Sequence, residues 1–252
     1  MTESAGSKDG TGRVVVVTGA NGAAGQAVAR RLAADGAHVV AAGRRALDWG
    51  DDRISPATVD LLDAAATRAW AADVAAQHGR IDGLVHLVGG WRGGTSFEDT
   101  DLDDWAFLHD QLVRTLQHTT LAFHPHLRAT PRGRFAIVSQ HAARHPKQNA
   151  AAYATAKAAS EAWTLAMADS FADAASGDSA PEGAAPVNAV SGGTGPAAVI
   201  LVVEALLTDQ MRTQQPDADF SKLTHVNELA DAIASLWDSP AAQLNGTRRD
   251  LS

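Results

Sequence analysis

Residues 14–25 read VVVVTGANGAAG. Four consecutive β-branched residues, Val14 to Val17, make a short run apolar on both faces, which predicts a buried strand. Gly19, Gly22 and Gly25 follow, and Ala27, Val28, Leu32 and Ala33 then recur at helical spacing. The segment reads as strand, glycine turn, helix. Such a turn brings backbone N–H groups and the positive end of a helix up to a pyrophosphate, where a side chain would block contact. Alone, the glycine pattern marks only a helix entry; directly after a first strand it predicts a dinucleotide site.

Beyond this unit, apolar runs alternate with helical patterns. Ala37 to Ala42 is a second strand, ending at Gly43-Arg44-Arg45, and Ala57-Thr58-Val59 a third, ending at Asp60. A helix from Leu62 to His78 leads to Leu84–Val88, stopped by Gly89-Gly90. The polar loop WRGGTSFEDTD precedes a helix from Leu102 to Phe123, with Asp101 or Thr100 as its cap. Phe135 to Val138, a helix from Asn149 to Phe171, a strand from Ala198 to Val203, a helix from Val226 to Trp237 and a short end segment, Gly246 to Leu251, complete the series. Near-continuous apolar strands alternating with helices predict an α/β fold: a single doubly wound domain with a mainly parallel sheet. Residues 1–12 are polar and expected to be a flexible segment, 13–252 to form the domain, and the Ala-, Gly-, Ser- and Pro-rich stretch 173–196 to be a loop insertion. Val187–Val190 inside that stretch is an alternative sixth strand.

The chain has 252 residues, a net charge of −8 and no cysteine. The 21 basic residues form no stripe that could neutralise a phosphate backbone, so nucleic acid is excluded as a partner. The absence of cysteine removes thiol catalysis and thiolate metal sites and suits a reducing compartment. No apolar run is long enough to span a bilayer, and the first residues resemble neither a secretory signal nor a transit peptide, so a cytoplasmic location is expected, with no membrane partner.

Where NAD sites carry an acidic residue after the second strand, this chain has Gly43 followed by Arg44 and Arg45. Guanidinium groups there suit a 2′-phosphate, which favours NADP over NAD; the plainer alternative is that both arginines are solvated at a strand end. Asp60 is placed either to receive the adenine amino group or to cap a helix from Leu61 onward. Tyr153 and Lys157 lie four apart on a predicted helix, one above the other on one face. An ammonium beside a phenol stabilises phenolate and lowers the tyrosine pKa toward the working range of a general acid or base. Tyr153 is also the only tyrosine in the chain.

TGANGAAG, the fourth-strand run ending in Gly89, and YATAK at 153–157 together resemble the short-chain dehydrogenase/reductase family, over nearly the whole chain. The resemblance implies a Rossmann sheet of about seven parallel strands, binding of NAD(P), a small-molecule substrate and a homodimer or homotetramer built on the long helices. It makes Tyr153 the proton donor or acceptor and Lys157 its charge-stabilising, ribose-binding partner. The implied cofactor contacts fall on Gly19, Asn21, Gly22, Ala24 and Gly25 in the turn, then on Arg44 and Arg45, Asp60 and Leu61, and Gly89 at successive strand ends. Thr208 matches a threonine expected near the nicotinamide carboxamide.

The departures bear on activity. Ala23 occupies the middle glycine position and Gly22 precedes it, a spacing found in longer members and compatible with cofactor binding. The NNAG segment is His86-Leu87-Val88-Gly89, and the asparagine of the central helix falls on Leu112, or on Gln111 one residue earlier. The catalytic serine falls on Gln140, with Ser139 just before it; Ser139 replaces the hydroxyl only if the strand bulges. The Gln140 amide could still polarise a carbonyl. The Pro-Gly after the sixth strand becomes Val203-Glu204, or, with Val187–Val190 as the strand, leaves only Gly192.

His86, His141 and His145 are candidates for proton transfer near neutral pH, against plainer readings as solvated or hydrogen-bonded side chains. Trp91, with His141 and His145, would line the substrate pocket, or anchor its loop. Trp105, Trp163 and Trp237 read as core or subunit contacts. His124-Pro125-His126 lacks a third ligand, Pro125 reads as a helix end, and no metal site is expected. The expected function is an NADP-dependent oxidoreductase passing hydride between nicotinamide and a carbonyl or alcohol. The alternative is a non-redox cyclase, isomerase or lyase on the same fold, or a catalytically silent relative, motivated by Gln140 and Leu112.

Overall fold

The computed structural model describes residues 12–176 and 195–252. Strands β1 (Val14–Thr18), β2 (His38–Gly43), β3 (Ile54–Thr58), β4 (Gly83–His86), β5 (Arg134–Gln140), β6 (Ala197–Val203) and β9 (Thr247–Asp250) form one sheet in the order β3-β2-β1-β4-β5-β6-β9, every neighbouring pair parallel. Two-residue strands β7 (Leu206–Leu207) and β8 (Thr224–His225) pair apart from it.

Helices cover both faces, and the strand residues alternate between two cores. Val15, Val17, Val39, Ala41, Val199 and Leu201 pack on the side of α1 (Ala23–Ala34) and α7 (Val226–Ala234). Val16, Val40, Leu84, Ile137, Ile200 and Val202 pack on the side of α2 (Ala64–His78), α4 (Thr115–Arg128) and α5 (Ala151–Ser176). This two-residue alternation with apolar residues on both faces is why the strands carry unbroken apolar runs. Short helices α3 (Leu102–Leu108), α6 (Asp209–Gln214) and α8 (Ala241–Leu244) complete the fold. Among the described residues no helix is long and apolar enough to cross a membrane.

Several boundaries differ from the sequence reading. The third strand begins earlier, at Ile54, and carries Pro56 in mid-strand. It tolerates the missing N–H because β3 is an edge strand. The central helix is not one α-helix: a π-helical turn, His109–Arg114, separates α3 from α4. Pro125 does not end α4, which runs on to Arg128; the proline is exposed, so its missing donor falls on the solvent side. Helix α5 extends to Ser176, so the loop expected over 173–196 starts no earlier than that, and most of it lies outside the described residues, as do Val187–Val190, Gly192 and residues 1–11. The end segment is a true strand, β9.

Candidate active site

The chain reverses its strand order between β1 and β4, the place where doubly wound sheets open a crevice at their carboxyl ends. Gly19 leaves β1 with φ +74°, and a Cβ there would stand 2.6 Å from the Leu87 carbonyl. A Cβ on Gly25 would lie 2.4 Å from the Gly19 carbonyl oxygen. Gly22 caps α1 with φ −77° and no side-chain hydrogen bond, and the first intrahelical bond runs from Gln26 N to Gly22 O at 2.9 Å. The N–H groups of Ala23, Ala24 and Gly25 therefore face outward from an uncapped helix start, which suits the diphosphate of a dinucleotide.

Around this turn, Asn21 reaches the Arg45 backbone, and Arg44 and Arg45 are exposed at the end of β2. Asp60 does not cap α2; Asp63 does, accepting from Ala65 and Ala66 N at 2.8 and 3.0 Å. Asp60 closes its own short turn on Leu62 N at 2.9 Å and stays exposed, while Leu61 is buried with its carbonyl bonded to His118 Nδ1. Thr208 caps α6 through Met211 N at 3.2 Å and is not among the residues lining the main cavity.

That cavity, about 620 Å³, extends from Ala24 past Gly89 and Trp91 to Tyr153 and Lys157, with Gln140, His141, His145 and Glu204 on its walls. Its size is that of a small-ligand site. Tyr153 and Lys157 rise from one face of α5 as spaced, with the Lys157 nitrogen 5.8 Å from the Tyr153 ring centre. Their electrostatics differ from the simple expectation. Burial, reinforced by the Glu204 carboxylate, pushes the Tyr153 phenol up to about 12 instead of down. Lys157 is itself buried, which lowers it to about 8 against the opposing pull of Glu161, and its ammonium donates to the Val138 carbonyl at 2.8 Å.

Gln140 is anchored at both ends: its Nε2 donates to the Glu204 carbonyl at 3.1 Å and its Oε1 accepts from Ala142 N. The side chain thus ties the end of β5 to the segment after β6, leaving one amide hydrogen for a ligand. Strands β5 and β6 pair residue for residue through Ser139–Val202 and Gln140–Val203, with no bulge. Ser139 is accordingly buried, and its hydroxyl donates to Glu161 Oε1 at 2.6 Å. The condition for Ser139 to replace the missing hydroxyl is not met.

Glu161 escaped the sequence reading. It sits one turn beyond Lys157, is buried, and takes Arg248 Nε at 3.1 Å and Arg144 Nε at 3.5 Å as counter-ions. The signal was the i, i+4, i+8 spacing of Tyr153, Lys157 and Glu161, which puts a carboxylate on the same inward face.

His86 is buried between two hydroxyls. Thr115 Oγ1 donates to Gln111 O at 2.7 Å, so it accepts from His86 Nε2 at 3.3 Å, and His86 Nδ1 accepts from Thr18 Oγ1 at 2.9 Å. Burial and the nearby Lys157 charge lower His86 to about 3. Its titration is thereby moved well below neutral pH, and the ring joins β1, β4 and α4. Because its folded pKa lies below the free value of 6.5, the unfolded chain takes up a proton first, and stability is lost as pH falls from about 6.5 toward about 3. A His86→Gln variant should show a flatter decline of thermal midpoint with acid over that range than the parent protein. Equal slopes in the two proteins would show that His86 does not control it.

Leu112 lies in the π turn with a methyl group 3.6 Å from the position a Gly89 Cβ would take, and its carbonyl accepts from Ser160 Oγ at 2.9 Å. An apolar group fills this place. His141 lies 3.4 Å from Asp250 Oδ1 and from Ser252 Oγ, and His145 and Trp91 are exposed at the cavity rim. His124 bonds Ser170 at 2.8 Å, and among the described residues no cluster could hold a metal.

Residues 13–175 match the family described as short chain dehydrogenase. The chain is 34% identical over 105 residues to a meso-2,3-butanediol dehydrogenase of Serratia marcescens, a stretch covering 37% of this chain and 39% of that protein. It is 30% identical over 151 residues to an NADP-dependent 3-hydroxy acid dehydrogenase of Salmonella typhi, covering 58% and 61%. Both matches span less than two thirds of the relatives' own length. A gluconate 5-dehydrogenase from Burkholderia cenocepacia, solved in complex with NADP and tartrate, superposes with a TM-score of 0.76 at 24% identity over 96% of this chain and 94% of that one, a likeness of fold.

Proposed function

The chain belongs to the short-chain dehydrogenase family, and from that premise we propose that it is an NADP-dependent oxidoreductase acting on a small carbonyl or alcohol. The observation that carries the reading is the continuity of one cavity from the open start of α1, at Ala24, to Tyr153 and Lys157 on α5. In this reading the glycine-turn amides would hold the diphosphate, Arg44 and Arg45 would meet a 2′-phosphate, and Asp60 would receive the adenine amino group. The cofactor, when bound, supplies or accepts hydride at the substrate carbon.

The chain's own groups do the rest. Tyr153, held protonated by burial and Glu204, donates the proton that the reduced oxygen needs. Lys157 places a positive charge under that exchange, and the remaining Gln140 amide hydrogen orients the substrate oxygen. Trp91 and His145 shape the outer pocket. A homo-oligomer would assemble through the long helices α4 and α5, which carry the exposed Leu121 and Leu165.

Leu112 against Gly89 and the doubly anchored Gln140 favour a second reading, a non-redox enzyme that retains the cofactor fold. Calorimetric titration with NADPH and NADP⁺, followed by a carbonyl panel read through loss of reduced-nicotinamide absorbance, separates the two. Binding with turnover is expected. Tight binding without turnover would sink hydride transfer and leave the second reading, and no binding of either cofactor would remove both.

A further inference from the structure

We infer that Asn21 is the residue that sets cofactor preference, by filling the space above Gly43 and by fixing the Arg44-Arg45 segment against the glycine turn. This rests on the dinucleotide reading above. Asn21 Nδ2 donates to the Arg45 carbonyl at 2.9 Å, and Arg45 N donates to Asn21 Oδ1 at 3.2 Å. One carboxamide thus satisfies both backbone groups of Arg45, as a neighbouring strand residue would. The Asn21 backbone is held in turn, its carbonyl accepting from Gln26 Nε2 at 3.1 Å.

Gly43 explains why that carboxamide lies so low. Its φ is not in the left-handed region, so the backbone there would admit any residue. What excludes a side chain is space: a Cβ would stand 2.3 Å from Asn21 Oδ1, 2.5 Å from its Cγ and 2.8 Å from its Nδ2. An acidic side chain at 43, the position from which a carboxylate would take the two ribose hydroxyls of NAD, can therefore enter only if Asn21 gives up both bonds to Arg45. The same two bonds set where the exposed arginines stand. Preference for a 2′-phosphate is accordingly a joint property of positions 21 and 43, with Asn21 acting through Arg45 as a positioning residue.

The test is binding, by calorimetry with NADPH and with NADH, independent of turnover. The parent protein is expected to prefer NADPH. Asn21→Ala should weaken NADPH by about tenfold, the loss of two hydrogen bonds, and leave NADH unchanged. Gly43→Asp alone should weaken NADPH without gaining NADH, whereas Asn21→Ala/Gly43→Asp should bind NADH at least about tenfold more tightly than either single variant. Should Gly43→Asp fold poorly, Gly43→Ala and Asn21→Gly/Gly43→Ala serve instead: the first loses NADPH affinity and the second regains folded-state stability by thermal unfolding. Gly43→Asp gaining NADH by itself, or Asn21→Ala binding NADPH as the parent does, would overturn the role of Asn21 while leaving the dinucleotide reading intact. A parent that binds neither cofactor would overturn both.

Discussion

Replacing Tyr153 with phenylalanine should reduce turnover by about three orders of magnitude while leaving NADPH affinity unchanged, measured by steady-state reduction of the best carbonyl substrate and by calorimetry. The ring and its packing are kept, so the change removes the hydroxyl alone. With the phenol at about 12, Tyr153 is a proton donor throughout the neutral range, which suits carbonyl reduction. Alcohol oxidation needs a phenolate, which both burial and Glu204 oppose. The rate of the parent enzyme should fall on the alkaline side near pH 8, far below the phenol's own ionisation. Lys157 is charged below its pKa, burial brings that pKa down to about 8, and the charge is lost as pH rises through it. A Tyr153→Phe enzyme that keeps more than about a tenth of the rate would mean that the proton comes from elsewhere on the cavity wall.

Much of the fold was legible because period and punctuation carry it. The unbroken apolar strands, the glycine turn after the first of them and the four-residue spacing of Tyr153 and Lys157 are local patterns, and each maps onto an element that local rules can specify. What escaped depends on groups brought together from far along the chain. Pro56 obscured β3 because only the strand order reveals that β3 is an edge. The Tyr153 shift runs opposite to the direction the sequence suggests because a neighbouring lysine is visible in sequence, whereas burial and a carboxylate from position 204 are not. His86 reads as a titrating group in sequence because neither its burial nor the nearby Lys157 charge, which together lower its pKa, is visible there, and nor are Thr18 and Thr115, which bracket the ring from β1 and α4. Glu161 is hard to single out in sequence for a similar reason: its partners Arg248 and Ser139 lie 87 and 22 residues away in the chain.

In the glycine turn, Gly19→Ala should be the most damaging substitution, destabilising the protein by about 2–4 kcal/mol in denaturant unfolding and abolishing NADPH binding. Two effects combine at this position. The φ of +74° is one that an L-residue adopts only with strain, and the new methyl would stand 2.6 Å from the Leu87 main chain, which has no rotamer by which to yield. Relief requires separating the β1 turn from the end of β4, and with it the bond from Leu87 N to Thr18 O at 3.0 Å and the His86 bridge to Thr18. Gly22→Ala is the informative control. There φ is −77° and a Cβ would meet only the Gly19 carbonyl oxygen at 3.5 Å, an ordinary contact, so stability should stay within about 1 kcal/mol of the parent, the difference expected for alanine at a helix N-cap. NADPH affinity should nevertheless fall, because the methyl projects beside the uncapped N–H groups of α1 that would receive the diphosphate. Loss of binding without loss of stability at Gly22, set against loss of both at Gly19, would separate the glycine that the fold needs from the glycine that the ligand needs. Equal destabilisation at the two positions would show instead that the turn tolerates no side chain for reasons of folding alone, and the case for a dinucleotide drawn from its glycines would lose its force.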